Sequence, residues 1–135
     1  MINDPIAKNE ILENWKGVNK LKNSFHIVHL YPGAGLIGNS TPQEFYNLPF
    51  ILAYTVLDGV LEQLKNEGVF SCNTWMLGVK MEKSRDKIPW NNYDLINSGK
   101  NARNDLAHKA ITINKTDCLK YIEAIETELK AWGIL

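Results

Sequence analysis

At 135 residues, with 44% apolar and 22% charged residues, the chain has the size and composition of one globular domain spanning 1–135. Its formal net charge of zero argues against a protein that coats nucleic acid by bulk electrostatics. Cys72 and Cys118 are the only cysteines and fall outside any CxxC or Cys/His ligand spacing, so neither a disulfide framework nor a metal site is expected, and both thiols are read as buried or half-buried.

The first predicted helix runs from about Lys8 to His29, because Ile11, Trp15, Val18, Leu21, Phe25 and Val28 recur at three- and four-residue steps. The residues before it, Met1 to Pro5, lack a basic stretch leading into an apolar core; no signal peptide and a cytoplasmic location are the expectation. Pro32, Gly33, Gly35 and Gly38 then end the helix. Thr41-Pro42-Gln43-Glu44 has the form of a capping box that opens a second helix, continued by Phe45, Leu48, Leu52, Thr55, Val56, Val60 and Leu64 as far as Gly68. Pro49 inside that stretch predicts a kink or a short lead-in turn. The longest apolar run, Leu48 to Leu57, is about half of what a membrane span needs.

A short third helix is expected over Asn73 to Lys83, and a fourth from about Asn92 to Lys109 after Pro89-Trp90-Asn91. The fifth is expected over Lys115 to Trp132, capped by Asn114 or Thr116, striped by Leu119, Ile122, Ile125 and Leu129, and stopped by Gly133. Ala110 to Ile113 is β-like but too short to build a sheet. These elements predict an all-α, up-and-down bundle of about five helices.

Two patterns invite a different reading. Gly33-Ala34-Gly35-Leu36-Ile37-Gly38 satisfies GxGxxG, Asp58 follows at the distance of a ribose-binding acid, and Phe25 to Leu30 could pass for the preceding strand. Against a dinucleotide site, the next helix starts at Thr41-Pro42, after the last glycine, and Asp58 falls mid-helix between Leu57 and Val60. His26 and His29 have a spacing that can turn two imidazoles to one face, but no third ligand lies nearby.

Arg103-Asn104-x-x-x-His108 is more informative. An Arg, then Asn, Asp or His, then a His at this spacing arises by chance in about two chains in a hundred of this length. On a helical wheel Leu95, Gly99, Ala102 and Leu106 form the core stripe, and its two small residues suggest a close approach to another helix. Asn104 and His108 point away from that stripe, with Arg103 at its boundary. Between Lys80 and Lys115 there are eight Lys/Arg against four Asp/Glu, a local basic bias around the motif.

The segment Asn101-Ala102-Arg103-Asn104-Asp105-Leu106-Ala107-His108-Lys109 resembles the signature of the HEPN superfamily, placed near the end of a late helix in a small bundle. The five-helix plan is similar to that family over most of the chain, while the motif covers six positions, and its four residues between Arg and His are at the short end of the family range. The resemblance implies a metal-independent endoribonuclease without cofactors, of toxin–antitoxin or antiviral type, with two motif copies facing each other across a homodimer. Arg103, Asn104 and His108 would then carry catalysis, with Lys100 and Lys109 flanking the site as phosphate binders. An antitoxin or other partner protein is a further expectation. The alternative within the family is an inactive module that binds RNA or a protein partner.

The residue types suit the chemistry. Cutting RNA without a metal requires a base, an acid and a cation over the phosphorane when the 2′-hydroxyl attacks its own phosphate. Imidazole exchanges protons near neutrality, a guanidinium holds two phosphate oxygens, and Asn104 can orient the imidazole or donate to the phosphate.

Overall fold

The computed structural model describes residues 1–24, 27–29, 36–39 and 41–135. Among them are five α-helices, α1 (Pro5–Lys22), α2 (Asn47–Asn66), α3 (Leu77–Ser84), α4 (Tyr93–Lys109) and α5 (Lys115–Ala131), which form an all-helical bundle. Two short strands, β1 (Ile27–His29) and β2 (Leu36–Asn39), pair antiparallel between α1 and α2, and a 3₁₀ turn covers Gln43–Tyr46. No helix among the described residues is long and apolar enough to cross a membrane.

The first helix begins and ends earlier than its periodicity predicts. Asp4 accepts hydrogen bonds from the amides of Ile6 and Ala7, and Pro5 takes the first helical position, where its missing N–H costs nothing. At the other end Asn23 caps the helix and the Ser24 hydroxyl donates to the Lys20 carbonyl at 2.6 Å. The β-branched Ile27 and Val28 then enter β1 instead of a last helical turn. Ile11, Trp15 and Val18 are buried as the stripe requires. Phe25, His26, Gly33 and Gly35 lie outside the described residues, and with them most of the histidine-pair and glycine-loop readings.

Pro49 decides how α2 starts. As third residue of the helix its missing donor is one of the four that no intrahelical carbonyl would meet, so the helix starts at Asn47 and runs on through Pro49. The residues before it coil more tightly, which is the lead-in turn. Asn47 is itself buried; its amide donates to the Ile113 and Glu44 carbonyls and accepts from the Ile113 amide. The β-like Ala110 to Ile113 stretch forms no strand, and this clasp ties the α4–α5 connection to the head of α2 instead.

The core sits around α2, which packs against α1, α3 and α5 and buries Phe50, Tyr54, Leu57, Leu61 and Leu64 completely. Ile122, Ile125 and Leu129 of α5 close it from the other side. Asp58 faces α3, where Lys80 is buried against it at 2.6 Å and donates to Glu62 at 3.0 Å. Burial alone would depress the Lys80 pKa, but the two carboxylates outweigh it and raise it. Asp58 is thus committed to the α2–α3 contact.

Candidate functional site

Helix α4 carries the motif, and three contacts fix its position. At its N-terminus no side chain of its own caps the helix; the fully buried Glu128 of α5 reaches across, and its Oε1 accepts from the amides of Asn91 and Asn92. Beside this cap Trp90 packs edge-on to Trp132 with centroids 4.8 Å apart, and the indoles donate to Ser84 and to the Pro89 carbonyl. In mid-helix the buried Tyr54 hydroxyl of α2 donates to the Ile96 carbonyl at 2.7 Å. Gly99 makes that approach possible, because a Cβ there would stand 2.0 Å from the Tyr54 hydroxyl and 2.7 Å from the Tyr121 ring.

The buried line of α4 runs through Ile96 and Gly99, which are buried, with Leu95, Ala102 and Leu106 only half-buried. This turns the helix from the predicted wheel, which omitted Ile96. Its physical cause is the Tyr54 hydroxyl, which selects the Ile96 turn as the point of contact. Arg103 continues the Ile96–Gly99 line one turn beyond the core and is half-buried. It also lies near enough to Tyr54 to act on it electrostatically: burial and then Tyr121 push the phenol well above its ordinary pKa, and Arg103 pulls it down. Tyr54 therefore stays a neutral donor.

Arg103, Asn104 and His108 come together along one surface depression of about 520 Å³, whose other walls are Leu106, Ala107 and Ile51 of α2. Asn104 is half-buried rather than turned fully outward as the wheel predicts, whereas His108 is exposed. The Arg103 guanidinium makes a long contact of 3.5 Å to the Asn104 side-chain oxygen. Among the described residues it forms no ion pair, and neither does Lys100. A half-buried guanidinium with no carboxylate, in a depression with apolar walls, has fork donors to offer an oxyanion.

The two flanking lysines do not line the depression. Lys109 pairs with Asp105 one turn earlier at 3.6 Å, both side chains being largely exposed. The Lys100 stem crosses the first turn of α3, its Nζ 3.0 Å from where a Cβ on Gly78 would stand. Directly after the motif, Ala110 ends α4 in the left-handed region at φ 54°, and its amide reaches back to the Asp105 carbonyl.

Ile51 is the wall that sequence reasoning missed, and the signal was available. Leu48, Ile51 and Thr55 follow one another at three- and four-residue spacing on α2, and all three are exposed. Periodicity places two of them, Leu48 and Thr55, on the core stripe, but the buried line runs instead through Phe50, Ala53, Tyr54, Leu57 and Leu61. The helix thus has a second apolar edge beside the motif. Among the described residues no group of His, Cys, Asp and Glu side chains is arranged to hold a metal ion. Both cysteines are free, Cys72 half-buried and Cys118 buried. Compared with known proteins, the chain matches no family model, no curated protein and no solved structure.

Proposed function

We propose that this protein is a metal-independent endoribonuclease of the HEPN type, working as a homodimer in the cytoplasm, in a toxin–antitoxin or antiviral setting. The observation that carries the reading is the convergence of Arg103, Asn104 and His108 on one depression, with a guanidinium that forms no ion pair among the described residues. In the proposed reaction His108 takes the proton of the RNA 2′-hydroxyl as its oxygen attacks the adjacent phosphorus. The P–O5′ bond breaks, and His108 of the second copy returns a proton to the leaving O5′. Arg103 holds the two non-bridging oxygens, and Asn104 holds the phosphate or the imidazole. The products are a 2′,3′-cyclic phosphate and a free 5′-hydroxyl.

The exposed apolar edge supports the dimer. Leu48 is 53% exposed and Ile51 40%, and Ile111, just past α4, is 52% exposed. A second copy covering this edge would bring its own motif to the same depression. The same edge favours the second reading, an inactive module whose depression receives a partner protein such as an antitoxin. Incubating RNA in EDTA with wild type, Arg103→Ala and His108→Ala separates the two. Catalysis predicts cleavage by wild type and a loss of at least 100-fold in each variant. Equal cleavage by all three, or none by wild type, overturns the proposal.

A further inference from the structure

The track that the proposed ribonuclease uses extends beyond its motif. Lys100 lies three residues before Arg103, one turn back along α4 with a rise of about 4.5 Å, and bends over Gly78 toward the start of α3. Three residues before Gly78 stands Trp75, 82% exposed, followed by Met76 at 55%. An indole left almost wholly in water is the largest exposed aromatic among the described residues, and the loop presenting it is anchored. Phe70 and Leu77 are buried at its two ends. Within it the Thr74 hydroxyl accepts from the Met76 amide at 3.1 Å, and the Cys72 thiol donates to the Thr74 carbonyl at 3.4 Å. Along α4 the order is therefore His108, Asn104 and Arg103, then Lys100, which has no carboxylate partner among the described residues and whose side chain lies over the first turn of α3, into which the Trp75 loop leads.

We propose that Trp75 is a stacking platform for an unpaired base and that Lys100 holds the phosphate between that base and the scissile one, so that the site selects single-stranded RNA. The assignment rests on the ribonuclease reading for its substrate. Its own support is the sequence of charges and the exposed indole. A guanidinium and an ammonium with no carboxylate partner among the described residues attract phosphates, and an exposed indole on the loop that leads into the Gly78 turn offers an apolar face to a base. A duplex keeps its bases stacked on one another and offers no face to Trp75, which gives the strand preference. Gly78 has a specific part, since its missing side chain leaves room for the Lys100 stem to lie across the first turn of α3.

The test uses the 135-residue chain carrying His108→Ala, so that binding is read without cleavage, with a fluorescently labelled single-stranded RNA of about 12 nucleotides and its duplex as probes. The expected result is preference for the single strand. Trp75→Ala should weaken that binding roughly 5- to 100-fold, and Trp75→Phe should restore most of it. Lys100→Ala should lower the slope of log affinity against log salt by about one. Single-strand affinity unchanged in Trp75→Ala overturns the assignment even if the wild type cleaves RNA. So does a Trp75→Ala variant that keeps its RNA affinity and loses only self-association or binding to a protein. Single-strand binding that depends on Trp75 in a protein that never cleaves upholds the platform and removes only the catalytic reading.

Discussion

Replacing Gly99 with alanine puts a methyl group 2.0 Å from the Tyr54 hydroxyl and 2.7 Å from the Tyr121 ring. Neither neighbour can yield cheaply. Tyr54 is completely buried, and its hydroxyl is held by the Ile96 carbonyl at 2.7 Å. Relief requires either breaking that hydrogen bond, which leaves buried polar groups unpaired at a cost of about 1–3 kcal/mol, or lifting α4. Overpacking adds about 1–3 kcal/mol, while the better helix propensity of alanine returns about 1 kcal/mol. The net expectation is a loss of about 1–5 kcal/mol, and its midpoint corresponds to a fall in Tm of roughly 10 °C for a domain of this size. Urea unfolding followed by circular dichroism reads it directly. The decisive comparison is a double-mutant cycle with Tyr54→Phe, which removes the atom in closest conflict: Gly99→Ala should then cost at least about 1 kcal/mol less than in wild type. Strict additivity of the two substitutions would refute the claim that Gly99 exists to admit the Tyr54 hydroxyl.

Other consequences follow from the same contacts. Glu128→Ala should cost about 2–4 kcal/mol in urea unfolding, because it leaves the Asn91 and Asn92 amides at the head of α4 without their acceptor, and Glu128→Gln should cost less. Ala110→Gly should stabilise the protein by about 0.5 kcal/mol, since glycine relieves the left-handed strain at φ 54° but makes the unfolded chain freer; a loss above 1 kcal/mol would contradict this. Lys80 has a raised pKa, so its contribution is complete below its ordinary value of 10.5 and fades as pH climbs through the higher folded value. Glu62 is depressed by hydrogen bonds from Lys65 and then Lys80, so its contribution is present above 4.5 and fades as pH falls through the lower folded value. Thermal unfolding from pH 3 to 12 should show both arms, and Lys80→Met should shrink the alkaline one without abolishing it, because the Tyr54 phenol and the Cys118 thiol, raised by burial, also resist ionising in the folded chain.

The helices are legible in the sequence wherever periodicity and caps agree. In α5 Asn114 accepts from the Asp117 amide, Ile122, Ile125 and Leu129 are buried, and Gly133 takes a positive φ of 71° after the end. Where the two signals separate, the boundary moves. Periodicity ran on past Lys22 although Asn23 and Ser24 could already close the helix, and Pro49 shifted the start of α2 beyond its apparent cap. The depression was half legible. Arg103, Asn104 and His108 come from one helix, so their shared surface follows from spacing. Ile51 and Tyr54 belong to α2 and meet α4 only in the folded chain. A contact between elements more than forty residues apart leaves no periodic trace, and the turn of α4 that it selects therefore escaped the wheel.

The most direct test of the proposed chemistry is the identity of the ends left on a short single-stranded RNA after incubation with the wild-type protein in EDTA. Mass spectrometry of the fragments should find 2′,3′-cyclic phosphate and 5′-hydroxyl ends from wild type and intact RNA from His108→Ala. Fragments ending in 3′-hydroxyl and 5′-phosphate, or the same fragments from both proteins, would contradict an in-line attack by the 2′-hydroxyl assisted by His108.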